Sequence, residues 1–285
     1  MKCTKFTPEE ASRWERVFTD EYETSPLSKK MGRELWWTLN LAFHAALDED
    51  FPSLRAALGS DPVGIERIMH DDDLRGFMMR LYEHGVACGD GGCCCDLGNM
   101  YHDAAGGGAS ADYAAAIELY EMGKELGNAQ AAINLGYIYY YGRGVERDYA
   151  RAYECFAFGA LIEGNPEGFW KLGDLYASGK GVAKSDFTAW TMYREAYLHA
   201  SDTPLSARAA HHVADYLLSG IEGRLDPDPD AALKLYMEAE LGYYTLIDEG
   251  LTYYERQLQQ VIEGQAAARR ATQEHHRRIR AGVQR

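Results

Sequence analysis

The stretch that decides the fold runs from Ala131 to Ala152 and reads AAINLGYIYYYGRGVERDYARA. Its first half carries a Leu135-Gly136 pair with a tyrosine three residues after the glycine, and a Gly-Arg-Gly-Val break begins at Gly142. Its second half opens on Asp148, a residue type that favours the start of a helix. The stretch therefore predicts a helix, a glycine turn and the beginning of a second helix.

The same pattern recurs along the chain at nearly constant spacing. The pairs Leu97-Gly98, Leu135-Gly136 and Leu172-Gly173 are separated by 38 and 37 residues, and each has a tyrosine three residues after its glycine. A looser fourth copy has Val213-Ala214 in place of Leu-Gly, after a step of 41 residues. Glycine-rich breaks follow at residues 106–108, 142–145, 179–182 and 220–223. The chain is therefore predicted to contain an array of repeats.

The second half of each repeat predicts a helix with one fixed face. A capping residue, a small residue, an aromatic and another small residue recur at offsets 0, 4, 8 and 11, which share one face of an α-helix. Each repeat is thus helix A, a glycine turn and helix B, and it needs a neighbour to cover its apolar face. The four rows are Asp112/Ala116/Tyr120/Gly123, Asp148/Ala152/Phe156/Gly159, Ser185/Ala189/Tyr193/Ala196 and Asp228/Ala232/Tyr236/Ala239.

Two kinds of glycine carry structural meaning. Gly98, Gly136 and Gly173 lie inside helix A, where a glycine costs about 1 kcal/mol relative to alanine, so we expect another helix to cross there. The Gly-x-Gly breaks lack the preceding strand and the following Lys-Ser/Thr of a phosphate-binding loop. We interpret them as helix C-caps and turns.

These residues closely resemble the Sel1-like repeat, a relative of the tetratricopeptide repeat. The resemblance is clearest over residues 91–201 and weaker to residue 243, and Leu81-Tyr82 belongs to a degenerate upstream copy. It implies an all-α fold, a right-handed α-α superhelix (solenoid) of stacked helical hairpins. It also implies a protein–protein interaction scaffold or adaptor with no cofactor and no catalytic activity. The departures are the Gly106-Gly107-Gly108-Ala109 break and the 41-residue step.

Three regions are predicted. Residues 1–72 show no repeat and predict an N-terminal helical capping region, a separate recognition module being the alternative. Residues 73–243 hold the degenerate repeat and about four more. Residues 244–285 predict a C-terminal capping helix, with Tyr254, Leu258 and Val261 at helical spacing, followed by a basic tail.

Charge and composition exclude several classes of function. The 285 residues include 29 Lys+Arg and 44 Asp+Glu, and this net charge of −15 argues against nucleic-acid binding. No apolar run is long enough for a membrane span, and the N-terminus lacks the apolar run of a signal peptide, so we expect a cytoplasmic protein without membrane contact. Residues 266–285 carry six Arg and one Glu, which predicts a solvated helix end or, alternatively, docking on an acidic surface.

The cysteines offer an alternative function. Cys88, Cys93, Cys94 and Cys95 are flanked by His84 and His102, enough ligands for a tetrahedral zinc site. The repeat register places Cys88, Cys93 and Cys155 in columns of small or apolar residues, which predicts packing instead, whereas Cys94 and Cys95 are less well explained.

Secreted, cysteine-rich relatives of the Sel1-like family are associated with penicillin binding and β-lactamase activity. By that resemblance the alternative is thiol- or metal-dependent or hydrolase activity centred on Cys88 to Cys95. The regular cysteine pairs of those relatives are absent, and no Ser-x-x-Lys accompanies a Lys-Thr-Gly. We therefore predict no catalytic residue and no metal ligand.

The helix A positions that packing does not use are predicted to bind the partner. By resemblance they line the concave face of the array, and they vary between repeats while the Leu-Gly frame stays constant. One column, Asp96/Asn134/Lys171/His212, is expected to be solvated, and replacing Tyr137 and Asp174 by alanine is expected to leave folding intact. The mixture of Tyr, Asn and Asp favours a protein or peptide that carries Lys or Arg, a merely solvated polar face being the alternative. The predicted partner-binding residues are Asp96, Asn99, His102, Asn134, Tyr137, Tyr140, Lys171, Asp174, His212 and Asp215.

Overall fold

The chain is α-helical throughout the part that the computed structural model describes, which comprises residues 2–19, 26–60, 66, 68–103, 111–201, 203–280 and 282. These residues form thirteen α-helices and one short 3-10 helix, with no β-strand among them. The all-α prediction is confirmed. The break at Gly106-Gly107-Gly108 and most of the final five residues lie outside the described residues.

The chain divides into two compact units, residues 1–147 and 148–285, here called the N-terminal and C-terminal units. Consecutive helices pack against one another within each unit. The N-terminal unit contains α1 (Pro8–Thr19), α2 (Pro26–Leu47), α3 (Phe51–Gly59), α4 (Asp72–Ala87), α5 (Gly91–Asp103), α6 (Tyr113–Glu125) and α7 (Ala129–Tyr141). The C-terminal unit contains α8 (Tyr149–Glu163), α9 (Pro166–Ser178), α10 (Asp186–His199), α11 (Thr203–Ser219), α12 (Pro229–Asp248), the 3-10 helix Thr252–Tyr254 and α13 (Glu255–Arg280).

All four predicted N-caps of helix B are confirmed. The side chains of Asp112, Asp148, Ser185 and Asp228 each accept a hydrogen bond from a backbone N–H two or three residues further on. This interaction satisfies an N–H that has no partner inside the helix. Each helix B therefore begins directly after its capping residue.

The Gly-x-Gly breaks are helix C-caps and turns, as predicted. Gly142 and Gly179 end helices α7 and α9 with φ of 72° and 70°, a left-handed conformation that glycine adopts without steric cost. The second glycine serves close packing, because a Cβ on Gly144 would lie 2.4 Å from the Cβ of Tyr113.

The glycines inside helix A make room for the aromatic residue of helix B. A Cβ on Gly98 would lie 2.6 Å from the Tyr120 ring, and a Cβ on Gly173 would lie 2.6 Å from the Tyr193 ring. The predicted close crossing is confirmed at both positions, but the nearest neighbour is a tyrosine ring and not a helix backbone. In α13, Gly264 makes the same approach to the ring of Tyr236, at 2.5 Å.

The first helices share a core with the first repeat. Phe18, Phe43 and Phe77 belong to one buried cluster that also includes Cys93 and Leu97 of α5. In the C-terminal unit, α13 packs on α12, and the fully buried Val261 belongs to the same cluster as Tyr236 and Tyr243. The regions outside the repeats therefore cover apolar surface of the repeats next to them.

One arginine of α4 makes several contacts with the N-terminal segment. Arg80 donates hydrogen bonds to the backbone carbonyls of Thr4 and Lys5 and to both carboxylate oxygens of Glu10. The Arg80 guanidinium beside it lowers the pKa of Glu10 to about 2.

No described helix has the length and hydropathy that a transmembrane segment requires.

Candidate functional site

A cavity of about 470 Å³ opens in the N-terminal unit. It brings together four of the predicted partner-binding residues and four that were not predicted. The former are Asn99, His102, Asn134 and Tyr137, and the latter are Tyr120, Gln130, Tyr141 and Arg143. Helices α5, α6 and α7 supply seven of these side chains, and the turn after α7 supplies Arg143.

A chain of hydrogen bonds links the polar groups of this cavity. Gln130 donates to Asn134 Oδ1 at 3.0 Å, and Asn134 Nδ2 donates to Asn99 Oδ1 at 2.7 Å and to Cys95 Sγ at 3.7 Å. The hydroxyl of Tyr120 donates to the same Asn99 oxygen at 2.7 Å. The amides therefore stabilise one another and form the polar, uncharged part of the lining.

Arg143 is held in place at the cavity by two rings. Its guanidinium donates to His102 Nε2 at 3.0 Å and lies 5.2 Å from the centroid of Tyr141. The Tyr141 ring is in turn almost parallel to Tyr137, at 5° and 6.1 Å. Because arginine only donates, His102 Nε2 is the acceptor in this hydrogen bond.

The prediction that packing leaves the Asn99/Tyr137/Asp174/Asp215 column unused was wrong at three positions. Asn99, Asp174 and Asp215 accept hydrogen bonds from the hydroxyls of the helix B tyrosines in their own repeats. The pairs are Tyr120–Asn99 at 2.7 Å, Tyr193–Asp174 at 2.9 Å and Tyr236–Asp215 at 2.7 Å. The reason is geometric, since this position follows the helix A glycine or alanine and faces the helix B aromatic.

The sequence contains a signal that identifies these pairs. In the three repeats where helix B has a tyrosine, helix A has Asn or Asp in this column. In the remaining repeat helix B has Phe156, which lacks a hydroxyl, and helix A has Tyr137. Buried tyrosine hydroxyls need an acceptor, so this pairing predicts the hydrogen bonds. Replacing Asp174 by alanine is consequently not expected to leave folding intact.

The second predicted column is not solvated either. Lys171 is only 5% exposed; its Nζ donates to Asp174 Oδ2 at 3.0 Å and lies 3.9 Å from the Trp170 ring centroid. His212 stacks on Tyr193 with a centroid distance of 4.5 Å, and burial lowers the pKa of this imidazole. These residues precede the hydroxyl acceptors by three positions, which places both on one face of helix A, next to the helix B tyrosine.

The remaining predicted residues do not line the cavity. Asp96 and Tyr140 are partly buried and do not line the cavity, although Tyr140 contacts the Tyr141 ring edge-on. In the C-terminal unit, Asp215 is the most accessible of the predicted set, with half of its side-chain surface exposed. His211, in the same helix as Asp215, is buried.

Asp96 has an unusual titration. Burial raises the pKa of its carboxyl to about 6, and Arg55 opposes that effect in part. The ordinary value lies near 4, so between pH 4 and 6 ionisation occurs more readily in the unfolded chain than in the folded one. Stability attributable to this group is therefore present below pH 4 and is lost as the pH rises to 6.

We expect Asp96→Asn to become more stable relative to the wild type by about 1–2 kcal/mol between pH 4 and pH 7. Urea denaturation at both pH values measures the change, and the histidines contribute equally to both proteins. Asp226→Asn, at an exposed loop position, is the matched control and should show a constant difference. A constant difference for Asp96→Asn as well would refute the raised pKa.

The cysteine run is a packing feature. Cys93, Cys94, Cys95 and Cys155 are buried, and burial raises the pKa of Cys94 and Cys95 to about 12. A protonated thiol is a poor nucleophile and a poor metal ligand. Packing is thus confirmed for Cys93 and Cys155 and extends to Cys94 and Cys95. Cys88 is only half-buried, because its column lies at the end of helix B, where Leu126 is also about half exposed.

One mixed group near Cys88 has metal-ligand chemistry. Ligand atoms of Glu49, His84 and Cys88 lie within 4.8 Å of one another. However, His84 Nδ1 accepts a hydrogen bond from the Phe6 N–H at 2.9 Å, so the neutral ring carries its proton on Nε2. Neither ring nitrogen then offers a lone pair to a metal. The geometry disfavours the predicted zinc alternative at this position.

The capped hairpins, the glycine turns and the recurring contacts between helix A and the helix B tyrosines together define a helical-repeat protein. Four segments, residues 92–128, 129–161, 168–200 and 207–243, match the Sel1 repeat family. The chain belongs to the Sel1 repeat family. Repeats of this family typically mediate protein–protein interactions.

Two plant proteins are similar to part of this chain. HRD3B and HRD3A of Arabidopsis thaliana, ERAD-associated E3 ubiquitin-protein ligase components, are each 39% identical over 67 residues, which is 24% of this chain. The match covers 11% and 10% of those proteins, so this chain corresponds to about a tenth of their length.

Two solved structures share the fold. A Sel1 repeat protein from Oxalobacter formigenes is 21% identical with a TM-score of 0.51, over 81% of this chain and 98% of that one. The protective antigen c5321 of uropathogenic Escherichia coli, which displays an SLR fold, is 19% identical with a TM-score of 0.53, over 88% and 56%. At these identities the likeness concerns the fold alone.

Proposed function

We propose that this chain is a non-catalytic scaffold or adaptor that binds a peptide or partner protein on its helix A residues. The observation that carries the proposal is the cavity of the N-terminal unit, where Tyr137, Tyr141 and Arg143 surround an amide lining that is already hydrogen-bonded. Aromatic and arginine side chains are the types that contribute most to binding energy in protein interfaces. The family assignment and the ligase-component relatives support the same role.

The predicted residues contribute to binding in different ways under this proposal. His102 and Tyr137 contact the partner directly, whereas Asn99 and Asn134 position the lining through their hydrogen bonds. In the C-terminal unit, Asp215 offers a half-exposed carboxylate to a basic residue of the partner. Lys171, Asp174 and His212 stabilise the helix A surface around it.

The proposal assigns no catalysis because the most reactive side chains are either held protonated by burial or already hydrogen-bonded. The thiols of Cys93, Cys94 and Cys95 are buried, and burial raises the pKa of each. His84 already uses Nδ1 to accept the Phe6 N–H. These groups therefore lack the activation that a nucleophile or general base requires.

Tyr141→Ala tests the proposal against a closely matched control. Tyr141 is 47% exposed and lines the cavity, whereas Tyr244 is 46% exposed on helix α12 of the C-terminal unit. We expect Tyr141→Ala to reduce captured partner by about 10-fold, because an anchoring aromatic contributes about 1–2 kcal/mol or more, and Tyr244→Ala to change it little. Cross-linked capture from the native lysate, quantified by mass spectrometry, measures both.

Both tyrosine variants should keep the circular dichroism spectrum and the unfolding midpoint of the wild type within a few degrees. Recovery of the same proteins in the same amounts by all three chains would remove the cavity from the proposal.

A further inference from the structure

We propose that the cavity of the N-terminal unit binds an acidic side chain of the peptide, a Glu or Asp carboxylate next to an apolar residue. This inference rests on the proposed function and specifies its ligand. It reverses, for this unit, the expectation of a partner with basic residues.

The charge of the lining is the first argument. Among the described lining residues, Arg143 is the one that carries a full charge at neutral pH, since the others are amides, phenols and His102, whose Nε2 accepts from Arg143. The expectation of a basic partner came from carboxylates in the helix A column, but the member of that column in the first repeat is Asn99. In the part of the lining that the structure describes, the cavity therefore presents a cation and no anion that would neutralise it.

The placement of Arg143 is the second argument. One N–H of the guanidinium donates to His102 Nε2, and its central carbon lies over the Tyr141 ring, 5.2 Å from the ring centroid. These contacts restrict the side chain before any ligand arrives, so less conformational entropy is lost on binding. The planar fork of an arginine matches the two oxygens of a carboxylate. A single fixed cation also suits a monoanion better than a phosphate dianion.

The walls of the cavity supply the apolar half of the site. Tyr137 and Tyr141 both line the cavity with nearly parallel rings, and the guanidinium of Arg143 lies over the Tyr141 ring. The amides of Gln130, Asn134 and Asn99 hydrogen-bond to one another, so the lining offers polarity without a competing charge. The volume of about 470 Å³ is in the range that accommodates two or three side chains.

A random peptide library displayed on phage, selected separately on three purified full-length chains, tests the inference. The chains are the wild type, Arg143→Gln and the control Lys180→Gln. Lys180 occupies the equivalent position of the next Gly-x-Gly turn and lies 5.4 Å from the Tyr149 ring, so the control removes a comparable cation elsewhere. Thermal unfolding verifies that all three chains are folded.

We expect the wild type and Lys180→Gln to enrich peptides with Glu or Asp at one fixed position beside an apolar residue, and Arg143→Gln to lose that enrichment. Changing the selected Glu to Gln in a synthetic peptide should weaken binding to the wild type by about 10-fold and leave binding to Arg143→Gln nearly unchanged.

Peptides that bind Arg143→Gln as tightly as the wild type, or that carry Lys or Arg at the fixed position, would overturn the inference while the scaffold function stands. Failure of every peptide pool to bind the wild type above an empty resin would contradict the scaffold function itself.

Discussion

Asp174→Ala is expected to lower the free energy of unfolding by about 3 kcal/mol, because two buried donors lose their common acceptor. The Asp174 carboxylate accepts the Tyr193 hydroxyl at 2.9 Å and Lys171 Nζ at 3.0 Å. Tyr193 and Lys171 are 3% and 5% exposed, so water replaces the lost interactions poorly. Equilibrium denaturation in urea measures the change.

Two further variants sharpen this result. Asp226→Ala, at an exposed loop position, removes the same chemical group and should change stability by no more than about 0.5 kcal/mol. Asp174→Asn keeps an acceptor for Tyr193 but removes the counter-charge of Lys171, so its effect should fall between the two. Equal stability of Asp174→Ala and Asp226→Ala would mean that the Tyr193–Asp174 pair does not stabilise the fold.

Gly173→Ala is expected to lower the free energy of unfolding by about 2 kcal/mol, although alanine is the better helix former by about 1 kcal/mol. The added Cβ would lie 2.6 Å from Cδ1 and Cε1 of Tyr193. The ring has little freedom to move away, because its hydroxyl is bound to Asp174 and the ring stacks on His212. Steric overlap therefore outweighs helix propensity, and urea denaturation again measures the difference.

Gly76→Ala is the matched control with the opposite expected sign. Gly76 lies inside helix α4, and a Cβ there has no heavy atom within 4 Å. Helix propensity then acts alone and should raise stability by about 0.5–1 kcal/mol. If Gly173→Ala stabilised the protein as Gly76→Ala does, the close approach of Tyr193 to helix A would be refuted.

Local features of the fold were predictable from the sequence. The N-caps Asp112 and Asp148 and the turn glycines Gly142 and Gly179 act on atoms a few residues away, so their spacing alone predicts their role. The burial of Cys93 followed from its repeat column, because equivalent positions in stacked hairpins have equivalent neighbours.

The site was predicted less completely, because side chains from different helices form it. Whether Asp174 faces solvent or Tyr193 depends on how helix B is rotated against helix A. A column of equivalent positions in the repeats does not specify that rotation. Arg143 lies in a turn, and only its position next to His102, 41 residues earlier in the chain, makes it part of the cavity. The contacts of Arg80 with Thr4 and Lys5 likewise join residues more than 70 positions apart.

The helix A residues that accept the tyrosine hydroxyls can also change their charge without a change in the fold. Asn99 and Asp215 accept the same kind of hydroxyl at the same distance of 2.7 Å, although one is neutral and the other is an anion. An Asn/Asp exchange at this column therefore alters the surface by one unit of charge while an oxygen remains for the tyrosine. Proteins that descend from one repeat array can therefore attract partners of different charge while their helical hairpins stay the same.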